Sequence, residues 1–207
     1  MAGSSIFDMA RWYDRLFTGV LENLKVLATR IAPLKSGMKA LDIGCGTGKQ
    51  LASYQDMGGE LFGIDLSAQM LGVAKDNLVG KAGLVNGNAL RLPFRGASFD
   101  LVIASLFLHQ LNSQERIFVM DEARRVLRPE GQLLLIDFHP DANHSVKGML
   151  TYLAISMLEF FAGREHFRNS RNFLDQGGIP RMAAEQGFNL RKSVVLGNGN
   201  LGIYLLR

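Results

Sequence analysis

The residues most able to do chemistry in this sequence lie together in Leu41-Asp42-Ile43-Gly44-Cys45-Gly46-Thr47-Gly48. Three alternate glycines let a backbone turn tightly and come close to a ligand, because no Cβ intervenes. The segment follows an apolar, strand-like run and opens into a helical pattern. A helix starting near Gly48 would point its unpaired amides at the same spot. A second run, ending at Asp65, places a carboxylate about twenty residues downstream, where ribose hydroxyls are bound in open α/β sheets. Together these features predict an adenosine-type ligand at the carboxyl ends of parallel strands.

The charge of the loop narrows the ligand. A dinucleotide fingerprint needs a third glycine at position 49, and the sequence has Lys49 there. A carboxylate at Asp42 repels a pyrophosphate but attracts a cationic amino group. Adenosylmethionine carries an amino acid and a sulfonium in place of phosphates, so the loop favours it over NAD.

The elements that must hold this loop are legible as alternating β and helical patterns. Strand-like runs occupy Lys39–Ile43, Glu60–Ile64, Gly83–Asn86, Phe99–Ala104 and Gln132–Phe138, most of them nearly continuous in apolar residues, as strands buried on both faces are. Helical spacing predicts Lys49–Met57, Ala68–Leu78 with Ser67 as N-cap, and Gln114–Leu127 with Ile117, Met120, Ala123, Val126 and Leu127 on its apolar stripe. Pro129-Glu130-Gly131 breaks the chain before the fifth strand. An N-terminal helix is expected over Phe7 to Ile31. A long helical stretch should follow Pro140 to about Gly187. Leu190–Leu196 and Leu201–Leu206, joined by Gly197-Asn198-Gly199-Asn200, read as a hairpin. The expected fold is α/β: a doubly wound, mostly parallel seven-stranded sheet with a C-terminal antiparallel hairpin and helices on both faces.

Composition agrees with one globular domain over 1–207, divided into an N-terminal helical cap (1–33), a ligand-binding core (39–138), a helical cover (140–187) and the terminal hairpin (188–207). Hydrophobic residues make up 47% and charged residues 20%, which excludes the disordered and fibrous classes. One cysteine, Cys45, excludes an internal disulfide framework and suits a reducing compartment, so the expected location is cytoplasmic. The apolar stretch Met149 to Ala162 is too short to span a bilayer and contains Glu159. The net charge of +4 is scattered, with Arg124-Arg125 set among Asp121 and Glu122, and it argues against a nucleic-acid partner.

With these motifs in view, LDIGCGTG resembles the cofactor loop of class I S-adenosylmethionine-dependent methyltransferases, and GIDLSAQML their second motif. GNALRLPFRGASFDLVIASLFLHQL and RVLRPEGQLLLIDF resemble their third to fifth motifs, so the similarity runs from about Lys39 to Phe138. Within the class the sequence is most similar to the ubiquinone/menaquinone-biosynthesis type acting on small molecules. The resemblance implies S-adenosyl-L-methionine as cofactor and S-adenosyl-L-homocysteine as product. It implies that Asp42, Gly44 and Gly46, in a loop completed by Cys45 and Gly48, hold the methionine end, and that Asp65 holds the ribose diol. Leu66 and Met70 would flank the adenine, with Asn88 and Ala89 at its edge and Ser105 near the methionine moiety. Tyr13 would close over the cofactor. Asn88 departs from the aspartate usual there but keeps a carbonyl acceptor. Each of these residues also has a structural reading, as turn glycine, capping carboxylate or core aromatic.

Methyl transfer from a sulfonium is an in-line displacement, and positioning supplies most of its catalysis. A general base is needed only if the acceptor keeps its proton at neutral pH. His109 after the fourth strand, His139 after the fifth, and Glu165 and His166 in the later helix are the candidates. No metal site is expected. The Met- and aromatic-rich cover favours a small acceptor of apolar or aromatic character, left unidentified. The Asp/Asn-Pro-Pro-aromatic run of DNA amino-methyltransferases is replaced by Ser105-Leu106-Phe107-Leu108, and a lone loop cysteine excludes the cytosine-C5 and multi-thiol arsenite routes. The competing reading is a catalytically inactive adenosylmethionine-binding regulator or scaffold.

Overall fold

A computed structural model describes residues 19, 22–140 and 163–207. Tyr13 and most of the expected cover helix, including its stripe Leu150, Leu153, Met157 and Phe161, lie outside the described residues. The elements are α1 (22–31), β1 (Lys39–Ile43), α2 (Lys49–Ala52), β2 (Glu60–Asp65), α3 (Ala68–Leu78), β3 (Ala82–Asn86), β4 (Phe99–Ser105), α4 (Ser113–Val126), β5 (Leu127–Phe138), α5 (Arg164–Asp175), α6 (Gly178–Glu185), β6 (Leu190–Leu196) and β7 (Leu201–Leu206).

The strands form one seven-stranded sheet in the order β3-β2-β1-β4-β5-β7-β6. The pairs β3–β2, β2–β1, β1–β4 and β4–β5 are parallel; β7 runs antiparallel to both β5 and β6. The expected fold class is thus observed, hairpin included. Alternation along the strands builds two cores. Leu101, Ile103, Leu134 and Ile136 face α1, α2 and α3 through Leu24, Ala28, Leu51, Ala74 and Leu78. Val102, Ala104, Leu133 and Leu135 face α4, α5 and α6 through Val119, Met120, Ala123, Phe173 and Ile179. Successive strand residues point to opposite faces, so apolar runs cover both.

Local signals set most boundaries. The Ser67 hydroxyl accepts the Met70 amide at 3.2 Å and starts α3. Asn112 caps α4 in a box with Glu115, each side chain bonded to the other's backbone amide. Three expectations need correction. The helix predicted over Lys49–Met57 stops at Ala52, and a separate 3₁₀ turn covers Gln55–Met57. Strand β5 starts at Leu127 rather than Gln132: Leu127 pairs with Phe99 and Gln132 with Leu101, so the Pro129-Glu130-Gly131 break is taken up as a bulge inside the strand. The described part of the helical stretch ending near Gly187 is two helices, interrupted at Gly177, whose φ of 83° is left-handed.

Candidate active site

Two loops meet where the strand order reverses, between β1 and β4, which is where open α/β sheets bind ligands. From β1 the chain turns through Gly44, Gly46 and Gly48, all left-handed at φ 69°, 52° and 73°. The Gly44 and Cys45 amides donate to the Ile64 carbonyl, at 2.9 and 3.0 Å, and bind the loop to β2. From β4 the chain turns at Leu106, a non-glycine residue at φ 51°. That turn lays the Phe107 ring against Gly44, where a Cβ would stand 2.5 Å from the ring. A strained residue beside a close approach of this kind is characteristic of functional sites.

A cavity of about 1330 Å³ opens over this junction. Single-ligand pockets hold roughly 300–1,000 Å³, so there is room for two ligands side by side. Of the residues expected to bind cofactor, Asp42, Gly44, Cys45, Gly46, Asp65, Leu66, Met70, Asn88, Ala89 and Ser105 all line it. Gly48 does not; a Cβ there would meet Leu78 and Ala74, so its glycine serves the packing of α2 on α3. Among the base candidates His109, Glu165 and His166 line the cavity. His139 is not in its wall. Its Nδ1 lies 2.6 Å from the Tyr204 hydroxyl, and its amide donates to Asn200.

The cofactor end is acidic and partly unsatisfied. Asp42 is 1% exposed, and its Oδ1 has no hydrogen-bond partner among the described residues. Burial, with the Asp65 charge nearby, pushes Asp42 up to about 8. Gln50, also buried and lining the cavity, has an unsatisfied Oε1. Buried acceptors without donors are costly, and a ligand ammonium would satisfy them. The sequence reading missed Gln50; its place one residue past Lys49, on the first turn after the glycines, was the available signal. Burial and the two carboxylates hold the Cys45 thiol well above its usual range, so it stays protonated and inert. Asp65 Oδ2 accepts the Gly46 amide and Oδ1 the Ser67 amide, each at 2.8 Å.

The other end carries a histidine–aspartate pair. His109 sits in the 3₁₀ turn Leu108–Gln110 and is 3% exposed. Its Nδ1 lies 2.6 Å from Asp137 Oδ1, and its backbone amide donates to Asp137 Oδ2 at 3.1 Å. Asp137, in β5, also accepts the Phe138 amide at 2.8 Å. A carboxylate surrounded by N–H donors favours the tautomer that carries its proton on Nδ1. The His109 ring stacks at 4.5 Å on Phe138 and meets the His166 ring edge-on at 5.5 Å. Phe107, Phe138, Leu106 and Leu111 supply apolar wall around these groups.

This arrangement, a glycine loop with an unsatisfied carboxylate beside an oriented imidazole, can be set against known proteins. A methyltransferase-domain family model matches residues 41–135. A demethylmenaquinone methyltransferase of Staphylococcus aureus is 30% identical over 199 residues, spanning 87% of this chain and 82% of that protein. The chain belongs to the class I S-adenosylmethionine-dependent methyltransferases. An uncharacterized methyltransferase of Synechocystis is 36% identical over 123 residues, 59% of this chain and 54% of its own. The chain spans about half the length of this and other curated relatives that it matches. In fold, the methyltransferase resembles a crystal structure from Bacillus halodurans with TM-score 0.63 and 24% identity, covering 82% of this chain and 71% of that one. Among the described residues no helix is long and apolar enough to cross a membrane, and no cluster of ligand side chains could hold a metal.

Proposed function

We propose that the protein transfers a methyl group from S-adenosylmethionine to a small, largely apolar, aromatic acceptor whose hydroxyl proton is taken by His109. The pairing of His109 with Asp137 at the acceptor end of the cavity carries this reading. The left-handed glycine loop and the orphaned Asp42 and Gln50 oxygens fit the cofactor's amino-acid end, and Asp65, Leu66, Met70, Asn88 and Ala89 fit its nucleoside. When bound there, the cofactor supplies a sulfonium-activated methyl group.

The chain's own work is then mostly placement. Asp42 holds the ammonium, and Gly44 and Phe107 keep water from the methionine end. His109 Nε2 receives the proton that the acceptor gives up, while Asp137 steadies the imidazolium through Nδ1. The acceptor thus exchanges one proton for one methyl group. Phe107, Phe138 and Leu111 suit an aromatic ring, and the Staphylococcus aureus relative is named for such an acceptor, demethylmenaquinone. In a hydroquinone, removing the hydroxyl proton also makes the neighbouring ring carbon nucleophilic. Of the cover expected from the sequence, Glu165 and His166 line the cavity and would meet the acceptor. We place the reaction in the cytoplasm, where a single buried thiol such as Cys45 persists.

Radiolabelled methyl transfer to a short-chain prenylated naphthohydroquinone tests the reading. His109→Gln should lower kcat at least 100-fold with adenosylhomocysteine binding unchanged, and Asp137→Asn should act in the same direction. Undiminished turnover in both variants would remove His109 as base.

A further inference from the structure

Helix α4 breaks its own pattern at one position. Its sequence puts Ile117 on the apolar stripe, yet Ile117 is 37% exposed and Arg116 is buried with Val119, Met120, Ala123 and Val126. Arg116 is 3% exposed, and its guanidinium carbon lies 5.0 Å from the centroid of the Phe173 ring. Among the described residues no carboxylate pairs with it directly. Its donors go to neutral acceptors on two other segments. Nε donates to the Leu108 carbonyl at 3.2 Å, Nη2 to the Asn169 carbonyl at 2.8 Å, and Nη1 to Asn172 Oδ1 and Gln176 Oε1 at 3.2 and 3.3 Å. Asn169 completes the bridge by donating from Nδ2 to the Gln110 carbonyl at 2.9 Å.

The two segments joined in this way are those that meet the acceptor. The turn 108–110 carries His109, and α5 carries Glu165, His166 and Asn169 in the cavity wall. A planar five-donor fork can hold several acceptors in one geometry; an ammonium cannot. The guanidinium also feels the Asp137 charge, although burial lowers its own hold on the proton. An arginine stays charged even so.

We infer that Arg116 is a positioning residue, which locks the His109 turn to helix α5 and sets a buried positive charge beside the His109–Asp137 pair. This inference rests on the reading of His109 as base. Among the described residues, the charged and titratable groups around His109 are Asp137 on β5, Arg116 and Glu115 on α4, and His166 and Glu165 on α5. Asp137 favours the imidazolium and Arg116 opposes it, so removing the Arg116 charge tips the balance toward the imidazolium.

The test needs no acceptor. The chain has four histidines, so their ring signals can be assigned and titrated by NMR in the protein loaded with adenosylhomocysteine. Arg116→Met should raise the His109 titration midpoint by about one pH unit, while Arg116→Lys, which keeps the charge, leaves it in place. His139, bonded to Tyr204, should not move in either. Amide exchange at 108–110 should speed up about tenfold or more in both variants, because both lose the fork, with α3 unaffected. Asn172→Ala, which removes one partly exposed acceptor, should give a smaller acceleration at the same amides and serves if Arg116→Met does not fold. Identical His109 titration in wild type and Arg116→Met, or unchanged exchange at 108–110 in the variants, overturns the inference. A protein that methylates nothing yet shows these shifts would sink the proposed function and leave Arg116 in its role.

Discussion

Asp65 reaches back from the end of β2 to the cofactor loop, where its Oδ2 accepts the Gly46 amide at 2.8 Å. The carboxylate is therefore a brace for the loop, in addition to the ribose contact proposed for it. A carboxylate has about four lone-pair sites, and the Gly46 and Ser67 amides occupy two, leaving two for the diol. Asp65→Ala should remove both functions. Adenosylhomocysteine at 100-fold its dissociation constant stabilises wild type by about 2.7 kcal/mol, a rise in Tm of roughly 5–11 °C. In the variant the rise should vanish and the ligand-free Tm should also fall. A full ligand shift in Asp65→Ala would refute the assignment.

Gly44 and Phe107 couple the two loops by contact. Gly44→Ala adds a methyl group 2.5 Å from the ring at a φ of 69°. The expected cost is about 2–4 kcal/mol, from left-handed strain plus displacement of the ring. Combining it with Phe107→Leu should recover the displacement part but not the strain. Denaturant melts of the single and double variants measure both. Additive losses would mean that the two residues do not touch.

The buried Asp42 makes the ligand-free protein sensitive to alkali. Its pKa lies near 8 in the fold against an ordinary 3.8, so between those values the folded state binds the proton that the unfolded chain has released. Stability is fully present below pH 4 for this group and falls as pH rises toward 8, by at most about 1.4 kcal/mol per unit. Asp42→Asn should flatten that slope. Adenosylhomocysteine, whose ammonium favours the carboxylate, should flatten it in wild type too. Melting curves from pH 5 to 8.5 decide, and a wild-type slope matching that of Asp42→Asn would be the contrary result.

Asn88 gives one lone pair of its Oδ1 to the Leu90 amide at 2.9 Å. A carboxylate could keep that bond and present a second, charged oxygen to the adenine amino group. Hydrogen bonds to charged groups are worth about 1 kcal/mol more than neutral ones, so Asn88→Asp should bind adenosylhomocysteine about fivefold more tightly. Calorimetric titration would show it; weaker binding would mean that the Asn88 side chain faces away from the base.

The strands and the glycine loop were readable because both depend on local rules: apolar runs between punctuating residues, and turns that only glycine tolerates. Most of the residues that line the cavity at the glycine loop followed from their places after β1, β2 and β3. The partners across the fold were not readable. Nothing local marks Asp137 as the residue that orients His109, since helix α4 and most of β5 separate them in the sequence. Arg116 was not legible either, because a periodic stripe is drawn from apolar residues, whereas the helix turns this cation inward toward carbonyls from elsewhere. The Arg124-Arg125 pair read as solvated, and Arg125 does bond Glu122, but Arg124 lies over Phe188 at 3.9 Å. His139 and His109 hold equivalent places after neighbouring strands; the antiparallel β7, arriving with Tyr204, takes His139 out of the site.

The anchoring of His109 on β5 divides the cavity wall by how freely it can change. Strand β5 lies between β4 and β7, and its Asp137 is fully buried and paired in register with Gly202. Arg164, Glu165 and His166 of the cavity wall ride instead on the first turn of α5, which packs on the core through Phe173. On the function proposed above, substitutions at 164–166 would retune which acceptor fits and leave the His109–Asp137 pair unaltered. A scaffold divided in this way can acquire new substrates without having to rediscover its chemistry.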